Sequence, residues 1–310
     1  MSAHLDPVAA HRPRLFSLAY RMLGSAALAE DAVQEAYVRW YAQDRREVRS
    51  ELAFLTTMVT RVSLDHLKSA RVKREQYPGP WLPEPLGDDA SMALLDTDAT
   101  VQPSAERDLE RLQSVSLAFL ALLEALTPLE RATFLLHEVF DYSHGEVGRM
   151  LDRSEAACRQ SYRRARQVLH ARPRGTASPQ RHRELLEAFL RACEHGDLPA
   201  LMRLLADDVV ARSDGGGVVT AARKPLHGAR AVARLYRGVW QQRGPQDTAV
   251  LGWANGWPAL IARRGDVLRA VIQVHADGER IDEVVAVLNP AKLAPLARAL
   301  GLRVLDAKVA

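Results

Sequence analysis

The chain has 310 residues, 47% of them hydrophobic and 26% charged, which is enough to bury about two domain cores and far from the composition of a disordered chain. Its two cysteines, Cys158 and Cys193, have neither a neighbouring Cys nor a spaced His pair, which excludes a disulfide scaffold and a structural zinc site. No apolar run is long enough to cross a membrane and the first fifteen residues hold no signal-peptide core, so a cytoplasmic protein with no membrane partner, metal or cofactor is expected.

The net charge of +4 is small, and its distribution says more than its size. Arg61, Lys68, Arg71, Lys73 and Arg74 are opposed in their segment only by Asp65, and Arg153, Arg159, Arg163, Arg164, Arg166, Arg172 and Arg174 only by Glu155. An acidic stretch from Glu84 to Glu110 lies between. Two basic segments flanking an acidic one point to two nucleic-acid contacts.

In chain order, Leu15, Leu18, Ala19 and Met22 follow helical spacing and Gly24 ends that run. Ser25 can cap a second helix, whose stripe is Ala32, Val33, Ala36, Tyr37 and Trp40. A third starts near Ser50 with Leu52, Leu55, Met58, Val59 and Val62 inward. Residues 1–75 are therefore read as a helical bundle. YPGPWLPEP at 77–85 cannot be regular helix and opens a linker at 76–103, whose Tyr77 and Trp81 suit docking on a folded surface.

Residues 104–173 are helical again. Thr127 with Glu130 and Ser143 with Glu146 make two capping boxes, the second opening a short helix over Val147, Met150 and Leu151. After a tight turn at Asp152 and Arg153, Ser154 caps a basic helix from Glu155 to about Ala171, which Pro173 ends. A short helix, a tight turn and an Arg-rich helix form the helix-turn-helix pattern. Ala157, Ser161, Ala165 and Val168 or Leu169 are its expected packing stripe. Arg159, Gln160, Arg163 and Arg164 project elsewhere, where guanidinium forks and a Gln amide can meet phosphates and base edges.

A second linker, 174–180, precedes two helices and strands expected at 209–213, 248–253, 259–263, 267–275 and 280–288, with a helix near 229–240. Helices followed by a meander of strands predict an α+β domain over 181–293 with one curved sheet, and a tail at 294–310. Because that domain has its own core, a chain ending near Gly175 is expected to stay folded.

Together these residues resemble an extracytoplasmic-function (ECF) sigma factor. LAYRMLG at 18–24, AEDAVQEAY at 29–37 and residues 54–68 look like its sigma-two domain, and residues 126–170 like sigma-four. YPGPWLPEP, the DGGG of Asp214, Gly215, Gly216 and Gly217, and NPAKL at 289–293 are similar to the subgroup with a fused SnoaL-like C-terminal domain. Val218 stands where that subgroup usually carries a lysine. The implied architecture is multidomain: two all-α sigma domains followed by an α+β SnoaL-like cone.

The resemblance implies that the helix bearing Asp31, Gln34, Glu35, Val38 and Trp40 docks on the clamp helices of the largest subunit of core RNA polymerase, with the flap as a further contact. It implies that Arg61, Lys68, Arg71 and Lys73 hold the minus-ten promoter element. The helix capped by Ser154 and opened by Glu155 would read the minus-thirty-five element through Arg159, Gln160, Arg163 and Arg164. If promoter DNA loses about six phosphate charges to these segments, log affinity falls with log salt at a slope near −5.

Tyr77, Trp81 and Pro83, with the DGGG turn, would couple the C-terminal domain to the sigma domains as a regulator in cis. That domain is also a candidate for a small-molecule ligand, with Trp240, Trp253 and Trp257 as lining. A pocket enzyme using His227, His275 and Asp214 as acid and base, and a polymerase-independent helix-turn-helix repressor, are the competing readings.

Overall fold

α1 (Pro7–Leu23) buries every residue from Leu15 to Leu23, beyond the four that its spacing predicts. Its Arg21 is 1% exposed and donates to the Ser17 carbonyl and hydroxyl, with the Phe140 ring 5.7 Å away. α2 (Ala26–Ala42), capped by Ser25, buries Ala29, Ala32, Val33, Ala36 and Trp40. α3 (Glu51–Glu75) inserts Leu55, Val59, Val62 and Leu67 between the other two. This computed structural model describes residues 7–43, 48, 50–87, 116–170, 177–276 and 278–305.

The helix-turn-helix follows the predicted caps closely. α4 is Leu117–Leu123 and α5 is Pro128–Phe134, continued by a π-turn at Leu135–Val139. α6 (His144–Leu151) and α7 (Glu155–His170) complete it. Both capping boxes form: Thr127 and Glu130, and Ser143 and Glu146, exchange side-chain and backbone hydrogen bonds in both directions. Asp152 takes a left-handed conformation with φ 55° to close α6. The turn then crosses Gly148, where a Cβ would lie 2.6 Å from the Arg153 carbonyl oxygen, so only glycine fits.

Two compact units result. Of the described residues, those up to Glu75 and those from 122 to 170 belong to the first, and those in 76–87, 116–121 and from 177 onward to the second. Within the first, Arg131, 3% exposed, donates to the Met22 carbonyl at 2.6 Å and pairs with Glu124 at 2.7 Å. Arg14 donates to the Phe140 carbonyl and Thr56 meets the Tyr142 hydroxyl. The helix-turn-helix is thus anchored on α1 and α3.

The second unit is α+β, as expected, but its sheet is mixed rather than a plain meander. α8 (Pro179–Glu194) and α9 (Leu198–Leu204) lead into β1 (Leu205–Asp214), β2 (Leu226–His227), α10 (Ala229–Gln241), β3 (Asp247–Ala254), β4 (Trp257–Arg264), β5 (Val267–Ala276) and β6 (Ile281–Val287). The order is β2-β1-β6-β5-β4-β3, antiparallel except that β1 runs parallel to β6. The expected tail at 294–310 is corrected over its described residues: α11 (Pro290–Ala299) reaches into it and β7 (Arg303–Val304) pairs with the start of β5. Leu293, Leu296 and Ala297 give this helix an apolar face that belongs to the core.

One sheet face packs Phe189 and Cys193 of α8 and Val232, Tyr236 and Trp240 of α10 onto Leu260, Ile272, Val274 and Val284. The other packs Val271, Val285 and Val287 against α11 and against Leu82, Leu117 and Ala118, which come from segments the sequence assigns to the linker and to sigma-four. Two buried amides hold those segments. Gln273, 0% exposed, donates to the Ala254 carbonyl and accepts from the Leu117 amide at 3.0 Å, while Asn255 accepts from the Leu86 amide at 2.7 Å.

The truncation expectation changes accordingly. Leu82, Leu86 and Leu117 are at most 1% exposed, and burying each is worth roughly 1.5–3 kcal/mol. A chain ending at Gly175 loses the sheet that covers them. It should bind a hydrophobic dye, self-associate on size exclusion and melt earlier than the full chain; a monomeric truncation with an unchanged melting curve would refute this packing.

Candidate nucleic-acid interface and linker-docking site

The Ser154 hydroxyl accepts from the Ala157 amide and starts α7. Cys158, Ala165 and Leu169 turn inward, which decides the Val168 or Leu169 alternative in favour of Leu169, since Val168 is 44% exposed. Cys158 replaces the expected Ala157 at the centre of the stripe. Glu155, Arg159, Gln160, Arg163, Arg164 and the unanticipated Gln167 form one exposed face. Arg159 is paired with Glu155 one turn back, while Arg163 and Arg164 have no ion pair among the described residues.

Behind this face the His137 and His144 rings stack with centroids 3.9 Å apart, Tyr162 lies edge-on to His137, and the Tyr162 hydroxyl donates to Glu138. Burial, with the Glu138 carboxylate, pushes the Tyr162 phenol up to about 12. Burial and then the His137 and Arg159 charges hold His144 below its ordinary value.

On α3, Arg61 is exposed yet donates from Nε to the Met150 carbonyl at 3.1 Å, so in this conformation it fixes α6 instead of standing free for DNA. Lys68 is exposed and paired with Asp65. Arg71 and Lys73 lie on the last turns of α3, where side chains fall outside the described residues. On α2, Asp31, Gln34 and Glu35 are exposed, and Val38 is 67% exposed. Trp40 is a correction: it is 5% exposed and packs on Phe54 at 5.4 Å, a core residue, and Tyr41, 52% exposed, takes its place on the outer face.

The second unit brings the three signature segments into one buried cluster. Asp214, 1% exposed, ends β1. Its carboxylate accepts from the Tyr77 hydroxyl at 2.5 Å, the Leu82 amide at 2.9 Å, the Gly216 amide at 3.0 Å and the Lys292 ammonium at 2.7 Å. Lys292 also donates to the Leu82 carbonyl and lies 3.9 Å from the centre of the Trp81 ring. Asn289 donates to the Tyr77 hydroxyl at 2.8 Å and caps α11. Burial and the Asp214 carboxylate push the Tyr77 phenol up. Pro83 is buried.

A Cβ on Gly217 would lie 2.6 Å from Pro78, and one on Gly216 2.3 Å from Asn289, both at positive φ. The glycines let the linker lie flat on the turn.

Lys292 is the residue that sequence reasoning missed. It supplies the ammonium that pairs with Asp214, and its signal was NPAKL itself. The candidate catalytic groups are not gathered: the Asp214 oxygens are occupied by these donors, His275 is paired with Asp282 at 2.6 Å, and His227 is exposed on β2. Nor do the tryptophans line a pocket, for Trp240 fills the core, Trp257 packs edge-on against His182, and Trp253 is 40% exposed.

Residues 8–72 match Sigma-70 region 2 and residues 116–169 match Sigma-70, region 4. The chain is 38% identical to the ECF RNA polymerase sigma factor SigJ of Mycobacterium tuberculosis over 239 residues, 76% of this chain and 72% of SigJ. It is an ECF RNA polymerase sigma factor. A second M. tuberculosis sigma factor of this type, SigI, is 32% identical over 97% of this chain and 99% of its own length. The crystal structure of SigJ matches this sigma factor with a TM-score of 0.71 at 29% identity, covering 93% and 97% of the two chains. As a family member it binds core RNA polymerase and promoter DNA. Among the described residues no helix is long and apolar enough to cross a membrane.

Removing one member of a buried ion pair strands the other and costs about 3–5 kcal/mol. Lys292→Met and Asp214→Asn should each lower the melting temperature by several degrees. The double variant should fall short of the sum; strict additivity would show that the pair is not coupled.

His144 gives a pH dependence with a definite sign. The fold favours its neutral form, so the unfolded chain binds more protons near the ordinary value of 6.5; stability is present above that pH and declines as pH falls through it. His144→Phe should flatten this limb of a pH–stability curve, and an unchanged curve would contradict the assignment.

Proposed function

We propose that this sigma factor docks on the clamp helices of the polymerase through Asp31, Gln34, Glu35, Val38 and Tyr41, with sigma-four on the flap. Arg61, Lys68, Arg71 and Lys73 then hold minus-ten DNA, and Arg159, Gln160, Arg163 and Arg164 read minus-thirty-five. Arg61 must release Met150, and Arg159 must exchange Glu155 for DNA, so engagement of the promoter competes with contacts inside the free protein. The C-terminal domain acts as a cytoplasmic regulator in cis and carries out no catalysis.

The observation that carries this reading is the occupation of Asp214. A carboxylate whose oxygens accept from Tyr77, Leu82, Gly216 and Lys292 cannot serve as a general base without first releasing the linker. The core of the cone is filled by Phe189, Cys193, Tyr236 and Trp240, which supports regulation over a ligand-filled pocket. The linker that follows sigma-two is thus held by the domain at the far end of the chain, and its release is the regulated step.

In-vitro transcription with purified core polymerase tests both halves. Arg163→Ala with Arg164→Ala should lower initiation at least tenfold on promoters with a minus-thirty-five element while polymerase binding persists. Tyr77→Phe removes the hydroxyl and with it the contacts to Asp214 and Asn289, and should change initiation without changing polymerase affinity. Initiation unaffected by the arginine pair would overturn the recognition-helix role; initiation unaffected by Tyr77→Phe would overturn control through the linker.

A further inference from the structure

The C-terminal domain carries a charged surface that none of these roles uses. From Gly215 to Gln246 the sequence has no Asp or Glu, yet it holds Arg223, Lys224, Arg230, Arg234, Arg237 and Arg243. α10 buries Ala229, Val232, Ala233, Tyr236 and Trp240 on one side. Arg230, Arg234 and Arg237, at i, i+4 and i+7, line a single flank, the first two exposed and the third half-buried. At 1.5 Å per residue their Cα atoms are spaced about 6 and 10 Å along the axis from Arg230. Arg223 and Lys224 are exposed in the loop that leads to β2.

These cations lack the acidic partners that several others of the unit have; Arg203, Arg263, Arg269 and Arg298 also form no ion pair among the described residues, but they lie on separate elements. Arg181, Arg183, Arg212, Arg264 and Arg303 all form ion pairs, and Arg243 stacks on Trp240 and donates to the Asp247 carbonyl. Among the described residues no ion pair involves Arg223, Lys224, Arg230, Arg234 or Arg237. Arg237 Nε is buried without a hydrogen-bond partner. Like charges at i, i+3 and i+4 destabilise a helix by about 0.2–0.5 kcal/mol per pair, so this flank costs the free domain stability until an anion neutralises it.

We propose that the Arg230, Arg234 and Arg237 flank of α10, with Arg223 and Lys224, is a third DNA contact, which grips the phosphate backbone of the promoter duplex without reading its sequence. Planar guanidinium forks match phosphate oxygens. Once the sigma domains hold a promoter, duplex is present near this domain at high effective concentration. A lipid surface fits less well, because the flank offers no apolar side chain to insert and the exposed Val239 lies on the far side of the helix. The inference rests on the reading that the chain binds promoter DNA through α7.

Equilibrium binding of full-length protein with core polymerase to a promoter fragment, measured between 50 and about 300 mM salt, provides the test. Arg230→Gln with Arg234→Gln, both at exposed positions, should reduce the slope of log affinity against log salt by about 2. The loss should be equal on a scrambled fragment, with the melting temperature unchanged or slightly raised by relief of the like-charge repulsion. Arg163→Ala with Arg164→Ala, run in parallel, should instead reduce discrimination between promoter and scrambled DNA. If that control acts and the α10 variant leaves the slope unchanged, the third contact is wrong; if the control has no effect, the promoter-binding reading itself fails. Loss of binding to phosphatidylserine vesicles with an unchanged slope would assign the flank to a lipid surface. Weaker binding to polymerase without DNA, again with an unchanged slope, would assign it to an acidic protein face. Either result overturns the proposal.

Discussion

The buried pair of Asp214 and Lys292 is the constraint around which the second unit is organised. A carboxylate and an ammonium that are almost wholly withdrawn from water carry a desolvation penalty of several kcal/mol each, which their mutual attraction offsets only when the remaining valences are filled. Here they are filled by the linker. The Leu82 amide donates to Asp214, the Leu82 carbonyl accepts from Lys292, the Tyr77 hydroxyl takes the second carboxylate oxygen, and the Trp81 ring faces the ammonium. The ion pair and the docked linker therefore depend on one another, and removal of the linker would take the Tyr77 and Leu82 donors from Asp214 and the Leu82 carbonyl from Lys292.

The proline-rich composition of the docked segment follows from the same need. An extended strand with no sheet partner must satisfy each buried backbone donor individually. Pro78, Pro80, Pro83 and Pro85 remove four donors. The remaining amides can then be met one by one: Gly79 by the Tyr77 carbonyl, Leu82 by Asp214 and Leu86 by Asn255. Gln273 does the same for Leu117 in the second docked segment. Side-chain amides that are fully buried and fully bonded select one register for each segment, where apolar contact alone would allow sliding.

The parts legible from sequence were those set by local chemistry. The capping boxes at Thr127 and Ser143, the left-handed turn at Asp152 and the strands from Asp247 to Val287 are decided within a few residues, and the structure places them within a residue or two of expectation. The docked linker was legible too, because Tyr77 and Trp81 are costly to expose. Spacing placed Trp40 on the inward stripe of α2 and the resemblance placed it on the polymerase-facing side; burial against Phe54, a partner on another helix, agrees with the spacing. What escaped was non-local. Lys292 lies 78 positions from Asp214, and the parallel pairing of β1 with β6 and the recruitment of 116–121 to the sheet are long-range choices that periodicity cannot encode.

A net charge of +4 conceals how differently the arginines are used. Arg21 and Arg131 are interior groups bonded to carbonyls, and Arg14 and Arg61 staple one helical domain to the other. Arg264 and Arg303 are cancelled by adjacent aspartates. Among those left without an ion pair in the described residues, Arg163 and Arg164 stand together on α7 and Arg230, Arg234 and Arg237 along one flank of α10, while Arg203, Arg269 and Arg298 are scattered singly over other elements. A polyanion responds to those local fields and not to the total, since at physiological salt a charge is felt over only about 8 Å. Pairing therefore sorts the cations into those that hold the fold and those left available to the duplex.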